Sequence, residues 1–231
     1  MDFYGFFNSS TSWRVRIALG LKGLKPELHG VNIRVDEHRD VRYVSNVNPS
    51  AVVPAIVEGD FNLGQSLAII DWLDVKYPQP LLIPTDDVEL RARVLEFSCL
   101  IACDIHPVNN LRILKYLQGV LKLSDEQKNA WYEHWAADGM AAAERMLARA
   151  QASYGGPWCF GDAPTLADCC LIPQVANARR SGCVLSAYPL VNAVCAHAAT
   201  NPAFIQAEPK NQPDYVAPCH NRLGAVFSFR G

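Results

Sequence analysis

No cysteine precedes Cys99 in this chain of 231 residues. The eight cysteines all lie in the second part, without paired spacing. That pattern argues against a disulfide framework and for reduced thiols packed as small apolar side chains. Cys99, Cys103 and His106 could share a helix face, but three candidates without a second pair do not make a metal set, and no metal is assigned. No apolar run is long enough to span a bilayer, and Met1-Asp2-Phe3 has neither a basic n-region nor a secretory h-region. The expectation is a soluble cytoplasmic protein. Charge of one sign is also lacking: 21 Lys and Arg against 23 Asp and Glu leave −2, which argues against nucleic acid or an anionic membrane as the main partner. There is no internal repeat and no low-complexity tract.

What is present is concentrated near the start. Phe3-Tyr4-Gly5-Phe6-Phe7 reads as a short buried strand, and Asn8-Ser9-Ser10-Thr11-Ser12 places hydroxyl side chains in the turn before an apolar helix, Trp13 to Leu19. A helix N-terminus attracts anions through free N–H groups and the peptide dipoles, and Ser or Thr hydroxyls add donors. The plainer reading is an ordinary N-cap. A strand, a turn and a helix at the start of a chain is how a thioredoxin-like domain opens, usually with Cys-x-x-Cys in the turn. Here any sulfur chemistry needs a ligand's thiol, with the hydroxyls stabilising its thiolate.

The first helix is expected to end near Lys22-Gly23 and a strand to run over 27–33, followed by a polar segment around Asp36 to Arg39 and a turn at Asn48-Pro49. Val52-Val53-Pro54-Ala55-Ile56-Val57 is a strand interrupted by proline, tolerated at its start and compatible with a cis bond. Glu58-Gly59-Asp60 turns into the strand Phe61-Asn62-Leu63, and Ser66 is the expected N-cap of a helix with apolar residues at 67, 70 and 73. That start is a second place for an anion. A proline-rich stretch over 77–87 sets the expected boundary between a domain at 1–80 and one at 88–210. Beyond it the pattern is helical, over 88–121, 125–152 with a Ser124/Gln127 capping box, and 166–181 with a Thr165/Asp168 box. Shorter helices follow Tyr188-Pro189 and Asn201-Pro202, and 211–231 reads as a loosely ordered tail.

Together the Ser-rich turn, the Val53-Pro54 strand, the Gln65-Ser66 helix start, Asp104-Ile105-His106-Pro107-Val108-Asn109-Asn110 and Phe160-Gly161-Asp162 to Asp168 resemble the cytosolic glutathione transferases. The likeness is greatest to the zeta class, which includes maleylacetoacetate isomerases and the related maleylpyruvate isomerases. It implies a thioredoxin-like N-terminal domain that binds glutathione, an all-helical C-terminal domain that binds substrate, and a homodimer. Residue by residue, it implies that Ser9, Ser10 and Thr11 surround the glutathione sulfur, with the leading Ser9 the usual thiolate stabiliser. Val53, before a cis Pro54, would pair with the cysteinyl backbone, and Gln65 and Ser66 would hold the γ-glutamyl end. His38, His106 and Asn110 would contact other parts of glutathione. Arg112 and Arg180, ahead of Arg179, would face a dicarboxylate substrate. One position departs: family members often carry arginine just before the Ser pair, where this chain has Asn8.

The implied reaction is cis–trans isomerisation of a maleyl group by reversible addition of the glutathione thiolate, as in aromatic amino acid catabolism. A thiol with pKa about 8.5 must be lowered by ~2 units, worth about 2.7 kcal/mol. A helix N-terminus contributes about 0.3–1 kcal/mol, up to ~2 when partly buried, so hydroxyl donors are needed as well. Arginines suit a dianion because the guanidinium stays charged and grips carboxylates bidentately. Two other functions use the same fold: a general glutathione transferase for conjugation, dehalogenation or peroxide reduction, and a non-catalytic binding module.

Overall fold

The computed structural model describes residues 1–217. The expectations placed on 218–231, including Cys219 and His220, lie outside the described residues. The first half is a mixed four-stranded sheet in the order β2-β1-β3-β4, made of β1 (Asp2–Gly5), β2 (Glu27–Gly30), β3 (Ala55–Glu58) and β4 (Phe61–Gly64). β2 runs parallel to β1, with Phe3 opposite Leu28, whereas β3 is antiparallel to β1 and to β4. α1 (Ser10–Leu21) makes the β1-to-β2 crossover, α2 (Val41–Asn46) precedes β3, and α3 (Ser66–Lys76) follows β4. Glu58 to Phe61 form the expected hairpin turn, with Gly59 at φ +60°. The second strand is shorter than expected, since the chain leaves the sheet after Gly30.

α1 is the axis of the molecule. Nine of its residues are buried, from Ser10 to Leu19, because it packs against α3, α7 (Leu166–Arg180) and α9 (Pro202–Ala207). A helix covered on all sides carries no polar face, so its two arginines are internal. Arg16 donates to three carbonyls, Phe6 and Phe7 at the end of the strand and Ala207 of α9, and burial lowers its pKa to about 9. Because α1 is shared, the apolar core runs unbroken from Phe3, Trp13, Ile56 and Ile69 to Phe97, Met140 and Leu171, instead of forming one core per half.

The chain over 77–87 is tied down by a buried pair. Asp74 accepts from the Leu82 and Ile83 amides and meets Lys22 Nζ at 2.7 Å, and Lys22 also donates to the Tyr77 and Pro80 carbonyls. The second half is helical: α4 (Val88–Cys99), α5 (Leu111–Gly119), α6 (Asp125–Tyr154), α7 (Leu166–Arg180), α8 (Pro189–Ala198) and α9 (Pro202–Ala207). Both capping boxes are present, and Asp168 is fully buried with its carboxylate on the Thr165 and Cys159 amides. The single helix expected over 88–121 is broken. After Cys99 the backbone widens into a π turn, Leu100–Ile105, then tightens into a 3₁₀ turn, Pro107–Asn109. Pro107 has no amide hydrogen to continue the α-helical ladder at this point, and the widened turn sets Ile105 tightly against α6, where a Cβ on Gly139 would sit 2.3 Å from Ile105 Cγ1. Residues 211–217 also differ from a loose tail. Asp214 accepts from the Phe7 amide at 2.9 Å, and Tyr215 stands edge-on to Phe7. No helix among the described residues is long and apolar enough to cross a membrane.

Candidate active site

Three hydroxyls meet where β1 turns into α1. Ser9 is the N-cap: its Oγ accepts from the Ser12 amide at 3.2 Å, satisfying one of the free donors of the first turn. Ser9 Oγ also lies 2.8 Å from Thr11 Oγ1, and Thr11 donates to the Val53 carbonyl at 3.0 Å. The Val53–Pro54 bond is cis. Ser10 Oγ is 3.2 Å from His106 Nδ1, and the other ring nitrogen, Nε2, is 3.1 Å from Asn110 Nδ2. The π turn and the 3₁₀ turn thus aim His106 across the interface at the hydroxyl turn. Desolvation, then Arg14 and Arg112, lower the His106 pKa to about 3, so the ring is neutral at physiological pH. Both ring nitrogens face Ser10 and Asn110, which leaves no His106 ligand for Cys99 and Cys103.

The second expected anion position is the start of α3, with one correction. Gln65, not Ser66, is the N-cap; it has φ +66° and its side chain caps nothing, while Ser66 is the first helical residue. Gly64 sets this boundary, because it lies at the end of β4 against the Asn48 side chain and Gln65 must make the whole turn. Ser66 is buried, and its Oγ accepts from Arg14 Nη1 at 3.3 Å. The remaining Arg14 nitrogens, Nε and Nη2, are buried without a partner, and burial lowers the Arg14 pKa.

Between the halves lies a cavity of about 620 Å³. Ser9, Ser10, Thr11, His38 and Val53 line it from the first half, and His106, Asn110, Arg112 and Arg180 from the second. Pro54, Gln65 and Ser66 are not on its wall, and Arg179 points instead to Asn192 of α8. Arg34, Arg39 and Lys115 join Arg112 and Arg180 there, against one carboxylate, Asp36. This cationic wall suits an anion. Arg34 was not legible as a site residue, since it sits in an irregular loop without a motif. It is placed by stacking over Phe6 and Phe7, 5.4 Å from each ring centre, and by Lys115, which reaches its carbonyl. Tyr132 of α6 closes the far side, its phenol pKa raised chiefly by burial. Arg180 donates to Asn8 Oδ1 at 2.6 Å, so the departing residue is built into the site as a clamp on an arginine from the other half.

A thioredoxin-like sheet, an all-helical partner and a hydroxyl turn between them define a glutathione-transferase type of protein. The glutathione S-transferase N-terminal domain model matches residues 3–81 and the C-terminal domain model residues 129–197. The chain belongs to the glutathione S-transferase family, in its zeta class. It is 44% identical to maleylpyruvate isomerase from Ralstonia sp over 93% of this chain and 99% of that protein. It is 43% identical to maleylacetoacetate isomerase from Pseudomonas aeruginosa over 94% of this chain and 100% of the relative. Among solved structures, a holo maleylpyruvate isomerase of the zeta class matches with TM-score 0.89 at 43% identity, covering 94% of this chain and 100% of that one. Maleylacetoacetate isomerase from Methylobacterium extorquens AM1, with bound malonate and glutathione, matches with TM-score 0.88 at 30% identity over 94% and 100%.

Proposed function

We propose that this chain is a glutathione-dependent cis–trans isomerase, converting maleylacetoacetate to fumarylacetoacetate or maleylpyruvate to fumarylpyruvate, and that it works as a cytoplasmic homodimer. The observation that carries this reading is that one cavity joins the hydroxyl turn at the α1 N-terminus to a wall of guanidinium groups. The relatives over nearly the whole chain support it.

The residues suit glutathione. The uncapped start of α3 and the Arg14 charge behind Ser66 favour the γ-glutamyl carboxylate. Since Arg14 donates to Ser66 Oγ, the Ser66 proton is free for that carboxylate, with Gln65 beside it. Val53, the half-buried His38 with its unpartnered Nδ1, and Asn110 offer backbone and side-chain groups along the cavity. When bound, glutathione supplies the thiolate that adds reversibly to the maleyl double bond. Ser9, Ser10 and Thr11 hold the hydroxyl turn in place to receive the sulfur. Arg112 and Arg180 orient the two carboxylates of the substrate, and their charge favours the electron density that builds on the conjugated carbonyl. Segments 1–80 and 88–210 thereby divide the work into glutathione binding and substrate binding.

With glutathione present, the purified protein is expected to speed the loss of maleylacetone and maleylpyruvate absorbance well above the uncatalysed rate, and to do so only with glutathione. No acceleration on either compound would refute the assignment.

A further inference from the structure

The charges on the cavity wall are unevenly spent. Asp36, its one carboxylate, is shared by Lys115 at 3.5 Å, Arg39 at 3.8 Å and His38 at 4.0 Å. Arg34, Arg112 and Arg180 also line the cavity, and among the described residues none of the three has a carboxylate partner. Arg180 donates instead to neutral acceptors, from Nη1 to Asn8 Oδ1 and from Nη2 to Asn177 Oδ1. Amide oxygens aim the guanidinium without cancelling its charge, which a carboxylate at either place would do.

Arg34 reaches the same place from the first half. Its guanidinium stacks on Phe6 and Phe7, 5.4 Å from each ring centre, and Phe7 leads directly into Asn8. Its backbone is pinned on both sides, the amide donating to Asn32 Oδ1 at 3.0 Å and the carbonyl accepting from Lys115. A flat cation laid on aromatic faces keeps its N–H donors along its edge, and among the described residues no protein acceptor takes them. Burial, then the Arg34 charge, lower the Arg180 pKa, with Tyr132 opposing them. Two like charges are thus held near one another at the cavity wall, an arrangement that an incoming carboxylate relieves.

We propose that Arg34 and Arg180, the second aimed by Asn8, form a carboxylate subsite spanning the two halves, and that Arg34 is a substrate-binding residue. The subsite takes one carboxylate of a short dicarboxylate, with a guanidinium from each half on it, and leaves Arg112 for the other. The proposal rests on the isomerase reading above and extends its substrate contacts to the loop after β2, so that both halves hold the substrate and not the helical half alone. Selection against a monoanion follows, because a neutral end group would leave both charges without a counterion.

Malonate binding at saturating glutathione, read by calorimetry, tests the subsite without turnover. Arg34→Gln should weaken malonate by about tenfold or more, and Arg34→Lys by less, since lysine keeps the charge and loses the fork. In an Arg180→Gln background the same Arg34 change should cost under about threefold, because both groups act on one carboxylate; fully additive losses would overturn the shared subsite. The KM for maleylpyruvate should rise with the loss of malonate affinity, while glutathione affinity stays within about twofold. Unchanged malonate affinity in Arg34→Gln would overturn the proposal. So would an equal loss of glutathione affinity, which would give Arg34 the glycyl carboxylate of glutathione instead. Malonate held through Arg34 by a protein that does not isomerise maleylpyruvate would overturn the isomerase reading and leave the subsite standing.

Discussion

Replacing Arg112 and Arg180 together by alanine is expected to lower kcat/KM for a maleyl dicarboxylate by about 10²–10⁴-fold. A hydrogen bond to a charged group is worth about 1.5–3 kcal/mol, and two such contacts sum to about 3–6 kcal/mol, at ~1.4 kcal/mol per factor of ten. Both side chains line the cavity, and Arg180 is aimed by Asn8, so neither change opens the core. KM should rise because the carboxylates are gripped in the ground state. kcat should also fall, because the same charges favour the electron density that develops on the carbonyl. Arg180→Lys should lie between, keeping the charge without the bidentate fork. Glutathione affinity, read by calorimetry, should stay within roughly threefold, ~0.6 kcal/mol. A double variant within fivefold of the parent would remove these arginines from substrate binding.

The second large effect belongs to Arg14. Arg14→Met is expected to weaken glutathione binding by about 10–100-fold, ~1.4–2.8 kcal/mol, without loss of thermal stability. The guanidinium is fully buried with one bond, to Ser66, and two nitrogens unpartnered. Such a group costs the fold more than an apolar side chain of similar length, so methionine should match or raise the melting temperature. What it removes is the positive charge behind the start of α3. Calorimetry and thermal unfolding on the same samples separate the two effects. Unchanged affinity with a large drop in melting temperature would make Arg14 a structural residue only.

Local signals were the most legible in the sequence. The Ser124/Gln127 and Thr165/Asp168 boxes and the proline before β3 each act within a few residues, and each is where expected, whereas α1 starts at Ser10, three residues before the expected Trp13, so that Ser10, Thr11 and Ser12 form its first turn. The break after Cys99 had one local signal, Pro107 inside a helical run, but the π turn before it and the tight seat of Ile105 on Gly139, 34 residues away in sequence, are visible only once α6 is docked. The same holds for Arg34, which Phe6, Phe7 and Lys115 place from three separate segments. Asp214 likewise anchors residues whose composition suggests a tail, through a backbone amide at the other end of the chain. The resemblance supplied the identities of His38, His106 and Asn110, but their partners, such as Ser10 and Asn110 on either side of the His106 ring, follow only from the geometry.

A crystal structure of the protein with glutathione and an unreactive dicarboxylate such as malonate tests the central claim most directly. The sulfur is expected within hydrogen-bond reach of the hydroxyl turn at the start of α1, and the dicarboxylate against Arg112 and Arg180. Glutathione bound with its sulfur away from Ser9, Ser10 and Thr11 would contradict the account.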